Sequence, residues 1–399
     1  MTTRQFWLAV HRYTGLVVLV FVAIAAFTGC VLELRAPIDR ALNPDLFYRT
    51  SNAAPLDPAT AAAAYQARNP VVEVVSFPLH PRAGETLPVT VAAKAGAPPL
   101  AFDEVFLAAN DGTVGGARSA TKPGWDRRRL VEGIYLFHYT LLAGTWGRWF
   151  MGVCAAGWLI GAIVGLYLTF PSNGPFWKGW WRMFQLSLRG KLARVMLDLH
   201  QSTGLWLLIP VLVLAWTSVS MNFFDEAFTP IAQAISPARP SPFDHPKASP
   251  AIGPGVGFAA VISKAETLAT QRGVAWKPSL VAFNPQLGLY GVSFTQSGTV
   301  NYSRLGPVTY DLDAASGRFV HADDPYTDSA GRAVSRSLYP LHTGQVAGGW
   351  GMAFAFLLGA VTFIQCVTGV YVWWKRRGGR VDARKARRAA RRRQAEAAA

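Results

Sequence analysis

The chain has 399 residues, of which 51% are hydrophobic and only 16% charged, with 14 Trp and a formal net charge of +16. That balance excludes an ordinary soluble enzyme and fits a membrane protein with sizeable loops. The positive charge alone would admit a nucleic-acid binder, so its placement along the chain decides what it means.

Taken in chain order, the first apolar run covers 10–32 and opens with His11-Arg12-Tyr13-Thr14-Gly15-Leu16. It is long enough to cross a hydrocarbon core of roughly 30 Å, which needs about 20 residues as helix. Phe27-Thr28-Gly29-Cys30 resembles a lipoprotein cleavage site, but a similar run recurs in mid-chain, where no signal peptide stands, so the first run reads as a retained helix. Residues 33–147 form a long loop with 11 basic and 11 acidic residues. Asp57-Pro58 predicts a helix start, running to about Arg68. Strands are predicted over 71–77, 87–93 and 102–108, with Asn110-Asp111-Gly112 as a turn.

A second apolar run, 149–170, carries Gly157, Gly161 and Gly165 at four-residue spacing, which reads as a ridge for close helix packing. A short connection follows, with Lys178, Arg182, Arg189, Lys191 and Arg194. The third run, 201–222, opens with His200-Gln201-Ser202-Thr203-Gly204-Leu205, the counterpart of the first. Residues 222–348 make a second long loop, with 9 basic and 9 acidic residues. A helix is predicted there over 256–271 and strands over 279–283, 289–295, 307–312 and 318–321, each helix covering its own sheet. The fourth run, 350–374, leads into a tail rich in arginine from Lys375 to Arg393.

The basic excess therefore lies at the N-terminus, in the short connection and in the tail, while both long loops are neutral. The positive-inside rule puts both termini in the cytoplasm and both loops outside. A basic tail directly after a spanning helix reads as an anchor on anionic lipid, and no nucleic-acid partner is expected.

The chain is written twice. Residues 135–171 laid over 339–375 without a gap give identities at Tyr135/Tyr339, His138/His342, Gly144/Gly348, Trp146/Trp350, Gly147/Gly351, Gly165/Gly369 and Tyr167/Tyr371, among others. Two units with an even number of spans point the same way, so the halves are related by an axis along the membrane normal. His11 and His200 then share a depth at the cytoplasmic ends of their helices, and His138 and His342 share a depth on the outer side. Two such pairs are the arrangement that two stacked haems require. Neutral imidazoles are strong axial donors, and ligation from both sides leaves no open position for oxygen. Thr14-Gly15 and Thr203-Gly204 keep the face beside each ligand small, and around the outer pair both copies read His, five residues, Gly, two residues, Gly. Arg12, Arg148 and the run from Arg127 to Arg129 are candidates to neutralise propionates. The three cysteines, Cys30, Cys154 and Cys366, fall inside apolar runs and no Cys-x-x-Cys-His string exists, so attachment would be non-covalent.

Blander readings stand beside these. A single histidine near a membrane interface is most often a hydrogen-bonding or snorkelling residue. His80, His245 and His321 have no matched partners and read as surface residues, and the arginines near Trp125 read equally as interface anchors. A zinc or copper site built from all four matched histidines conflicts with their two depths.

The His-x-x-Thr-Gly-Leu openings, Leu338-Tyr339-Pro340-Leu341-His342 leading through Gly348 and Gly351 to Thr368-Gly369-Val370-Tyr371-Val372-Trp373-Trp374, and the strand and turn from Val308-Thr309-Tyr310-Asp311 to Gly317-Arg318 resemble the PepSY-associated transmembrane family. The first repeat lacks the Thr that precedes Gly369 in the second. The resemblance covers nearly the whole chain. It implies four transmembrane helices as a tandem two-helix repeat with two periplasmic α+β PepSY-like domains: spans at 1–32, 148–171, 200–222 and 349–374, domains at 33–147 and 223–348, a connection at 172–199 and a tail at 375–399. It also implies two b-type haems, held by His11 with His200 and His138 with His342. The implied activity is reduction of a ferric siderophore outside the bacterial inner membrane, with electrons from a cytoplasmic-side quinol, flavin or iron-sulfur protein. A PepSY binding or protease-regulating module on a membrane anchor, a respiratory-chain cytochrome subunit and a transporter are the alternatives. Trp125, Arg127 and Tyr326 are candidates to touch substrate by type and place.

Overall fold

The structure, a computed structural model, describes residues 2–48, 56–82, 84–108, 111–244 and 253–397. His245 and Asn110, both singled out above, lie outside these residues. The main helices are α1 (Thr3–Glu33), α2 (Pro58–Arg68), α3 (Leu130–Thr140), α4 (Gly144–Thr169), α5 (Leu192–Trp206), α6 (Leu208–Asn222), α7 (Phe258–Gln271), α8 (Ala330–His342) and α9 (Gly348–Ala397). The strands are β1 (Val72–Pro78), β2 (Leu87–Ala93), β3 (Glu104–Leu107), β4 (Val114–Arg118), β5 (Lys277–Asn284), β6 (Leu289–Thr295), β7 (Val308–Asp313) and β8 (Phe319–Asp323). The chain divides into two compact units: a helical unit of Met1–Glu33, His138–Phe223 and Met352–Ala399, and a sheet unit of Leu34–Phe137 and Phe224–Gly351.

In the helical unit, three helices are long and apolar enough to cross a membrane, and α5 with α6 makes a fourth if counted as one span. That third run departs from the straight helix expected of it: the chain bends by 74° between α5 and α6. Pro210 is the reason. It has no N–H to donate and its ring would collide with the carbonyl of Trp206 in a continuous helix, whereas in the first turn of α6 neither matters. Leu207 takes up the break at φ −105° and ψ 15°. In the first repeat Phe21 occupies the equivalent position, and α1 runs through unbroken.

The sheet unit refines the expected pair of domains. Each loop supplies a helix and four strands, but the strands join one antiparallel sheet in the order β4-β3-β2-β1-β5-β6-β7-β8. The seam is β1 with β5, where Ser76, Phe77 and Pro78 oppose Ala282, Val281 and Leu280. Two separate meanders would each leave a bare edge at that point; pairing them satisfies both rows of backbone groups. One apolar core follows, with Val74, Phe77, Val89 and Val105 from the first loop packed with Val281, Phe283, Val292 and Leu312 from the second. Helices α2 and α7 cover it. Asp57 caps α2 by accepting from the Thr60 N–H at 2.9 Å, and Phe258 on α7 meets Phe77 edge-to-face at 5.0 Å. Helix α8, which ends in His342, is capped by Ser329 accepting from the Arg332 N–H at 3.1 Å.

Candidate cofactor site

Two of the four matched histidines meet in the helical unit. The ring centres of His11 on α1 and His200 on α5 are 6.5 Å apart, with planes inclined at 71°. Nδ1 of His11 lies 2.8 Å from the Gly161 carbonyl oxygen on α4. Nδ1 of His200 lies 3.2 Å from the Gln365 carbonyl oxygen and 3.2 Å from Thr368 Oγ1 on α9. A carbonyl oxygen only accepts, so each ring donates from Nδ1 and keeps its lone pair on Nε2. This is how protein frameworks hold a histidine that ligates a metal.

The two settings are the same setting used twice. Gly161 and Gln365 are equivalent in the repeat, and so are Gly165 and Gly369. A Cβ on Gly165 would stand 3.1 Å from Cε1 of His11, and one on Gly369 would stand 3.3 Å from Cε1 of His200. Each imidazole thus sets its Nδ1–Cε1 edge against a helix that has no side chain at the point of contact. Thr368 breaks the match, because Val164 stands at its place in the first half and offers no hydroxyl.

A cavity of about 590 Å³ opens beside the pair. Its size is in the range of small-molecule and cofactor sites. Gly15 and Gly161 line it, and an added Cβ on either would meet nothing within 4 Å. The three glycines of the α4 ridge therefore have three roles: Gly157 packs on Val18 and Thr14, Gly161 opens the cavity wall, and Gly165 carries the His11 ring. Arg4, Arg12 and Arg376 also line the cavity, with no Asp or Glu among its lining residues. Arg4 caps α4, donating to the carbonyls of Leu168 at 2.7 Å and Phe170 at 2.9 Å. Arg12 and Arg376 leave the site positively charged, and no carboxylate among the described residues lines it.

A haem fits these residues. Imidazoles on one metal at about 2.0–2.1 Å per Nε2 would bring their ring centres to roughly 6.3 Å, close to the separation here. A planar apolar macrocycle suits walls made of glycine and aliphatic side chains, and its carboxylates suit Arg12 and Arg376. Among the described residues no three His, Cys, Asp or Glu converge to hold a bare metal ion. A two-donor set suits a metal that brings its remaining ligands with it, as in a haem.

His138 is held in the same manner as the other two. Its Nδ1 lies 2.9 Å from Thr28 Oγ1, whose own proton goes to the Ile24 carbonyl at 2.7 Å, so Nδ1 is the donor. A Cβ on Gly29 would stand 3.3 Å from its Cε1. Thr28-Gly29, which the sequence offers as part of a cleavage motif, serves here as the seat of a histidine. His342 ends α8 in the sheet unit. The glycines after these two histidines build turns rather than a ligand face. Gly144 and Gly348 adopt positive φ, 56° and 62°. A Cβ on Gly147 would land on the Thr140 carbonyl, and one on Gly351 on the Gly344 carbonyl.

Several other expectations change. Arg127 and Arg128 both pair with Asp45, and Arg129 pairs with Asp126 at 2.6 Å, so the arginine run is engaged inside the sheet unit. Arg148 donates to the Asn222 carbonyl at 3.0 Å. His321 is no surface residue: its Nδ1 lies 3.0 Å from Oδ2 of Asp311, which is only 2% exposed. Its signal was hidden because the partner sits across a strand pair. His80 is exposed. Cys30, Cys154 and Cys366 are free thiols, and Cys30 packs on Gly359. Trp125 is 66% exposed and Tyr326 39%.

None of the curated proteins compared with the chain matches it significantly. Residues 8–376 match the family described as the PepSY-associated TM region. The chain is a multi-pass membrane protein, and it belongs to the PepSY-associated transmembrane family.

Proposed function

We propose that this protein is a b-type di-haem electron-transfer protein of the bacterial inner membrane that reduces ferric siderophores on the periplasmic side. The observation that carries the reading is the His11–His200 pair, which lines a cavity with both Nδ1 protons tied to equivalent carbonyls. A haem held by His11 and His200 would supply a one-electron couple. The residues do the rest. Gly161 and Gln365 fix the tautomers, Gly165 and Gly369 set the ring orientations, and Arg12 and Arg376 offset the carboxylates. His138 and His342 extend the proposal to a second haem on the strength of the repeat.

The basic excess at the N-terminus, the short connection and the tail supports cytoplasmic termini and periplasmic loops. A quinol, reduced flavin or small iron-sulfur protein on the cytoplasmic side would supply the electron. Ferric iron is a hard cation held tightly by siderophore oxygens, and one electron converts it to the ferrous state, which they hold far less well. No general acid, base or nucleophile is needed for that step.

Purified protein made with ample haem should show a reduced-minus-oxidised optical spectrum of low-spin b-type haem. Reconstituted in vesicles with a reductant inside, it should deliver ferrous iron to a chelating dye outside. A protein with no Soret band overturns the proposal.

A further inference from the structure

The sheet unit carries an exposed aromatic and cationic surface beside the helix that bears His342. The loop between β6 and β7 lies against α8: the Tyr302 ring meets Tyr339 edge-to-face at 5.4 Å, and Tyr339 stands one turn before His342 on the same helix. Arg336 of α8 holds the loop's shape, donating to the carbonyls of Leu305 at 3.3 Å and Pro307 at 3.0 Å. Tyr326 completes the frame, donating to the Gly306 carbonyl at 3.0 Å and accepting from the Leu305 N–H at 3.3 Å. Trp276 packs edge-on against Tyr326 at 5.2 Å. The loop is thus pinned from two sides while Tyr302 stays 45% exposed.

At its tip Arg304 has φ +57°, a left-handed conformation that costs an ordinary L-residue energy, and its side chain is exposed. Among the described residues no carboxylate pairs with it. The aspartates that end β8 and follow it have other partners: Asp323 pairs with Arg332 at 2.7 Å, and Asp324 accepts from the Tyr326 N–H at 3.0 Å. What remains is an exposed arginine on the same loop as the exposed Tyr302, a loop that Tyr326 holds through Leu305 and Gly306. Aromatic faces take flat rings, and a guanidinium takes an anion.

We infer that this surface docks the ferric chelate, and that the chelate class it selects is an anionic one with aromatic oxygen donors, such as a catecholate, over an aliphatic hydroxamate. The inference rests on the proposed reductase function and adds a substrate class and a place to it. The ring of a catecholate would lie against Tyr302 and Tyr326 with its negative charge toward Arg304. A hydroxamate chelate offers no ring and little charge.

The test uses the full-length, haem-loaded protein. A redox-inert gallium(III) tris-catecholate is titrated by tryptophan fluorescence, and reduction of its ferric counterpart is followed with a ferrous-trapping dye. Tyr302→Ala with Arg304→Ala should weaken gallium-chelate binding and raise KM for the ferric catecholate about tenfold, with kcat changed less than about twofold. Tyr302→Phe should behave as the parent, and a ferric hydroxamate should be reduced with unaltered KM in every variant. Unchanged KM for the catecholate, an equal loss for both chelates, or equally tight binding of a polyglutamate peptide would each overturn the docking surface. Absence of haem would overturn the reductase reading, so the two failures are distinguishable.

Discussion

The helical unit and the sheet unit preserve the same duplication at different depths. In the helical unit the match reaches individual atoms: His11, the Gly161 carbonyl and Gly165 repeat as His200, the Gln365 carbonyl and Gly369. In the sheet unit it reaches only topology. Four strands stand on either side of the seam, but the first half sets Arg118 between Asp39 and Glu104, while the second sets His321 on Asp311 and Arg332 on Asp323. A continuous sheet needs only alternating apolar residues and backbone pairing, which many sequences supply. Two imidazoles 6.5 Å apart, each tied to a carbonyl, leave far less freedom.

The largest expected effect separates the two units outright. His200→Ala or His11→Ala should remove about half of the haem measured by pyridine haemochrome, because the ligand and its orienting bond go together. Haem content unchanged in both variants would break the site assignment. In the sheet unit, Phe77→Ala should cost about 3–5 kcal/mol, the usual range for a buried Phe. Because Phe77 packs on Phe258 from the other loop, hydrogen exchange of the full-length protein should rise in both halves of the sheet. Faster exchange confined to residues of the first loop would show two independent domains.

Smaller effects test the one break in the helical symmetry. Thr368→Val removes an acceptor from Nδ1 of His200, makes that imidazole a weaker donor, and should raise the inner haem potential. Val164→Thr should add the missing acceptor beside His11 and lower it. Redox titration decides, and shifts of the same sign in both variants would contradict the matched roles. The smallest effect is in pH. Burial pushes the Asp311 carboxyl from its ordinary 3.8 up to about 6. Its folded pKa is above the unfolded one, so the stability it contributes is present in full below about 4 and lost as pH rises through about 6. Asp311→Asn should flatten the thermal stability profile over that window; an unchanged slope would show that the carboxyl does not titrate there.

Much of the fold was legible because its signals are carried by side chains. The apolar runs gave α1, α4 and α9, and alternation gave β1 to β3 and β5 to β8 within a few residues. β4 escaped because Val114-Gly115-Gly116-Ala117 has no alternation to read. The bend at Leu207 escaped because Pro210 lies in an otherwise continuous apolar run. The seam between β1 and β5 is set by backbone groups that every residue possesses, and so are the carbonyls of Gly161 and Gln365. For the site, the repeat marked the histidines and Gly165 with Gly369, but nothing in the sequence linked Thr28 to His138, 110 residues away.

That His11 and His200 share one haem iron is tested most directly by low-temperature electron paramagnetic resonance of the oxidised, full-length protein. Imidazole planes crossed at 71° act on different iron d orbitals and leave them close in energy, which gives a strongly anisotropic low-spin signal. Such a signal should be present in the parent and in His138→Ala, and absent from His11→Ala and His200→Ala. Its survival in His11→Ala, or a parent spectrum with only high-spin ferric haem, would contradict the shared site.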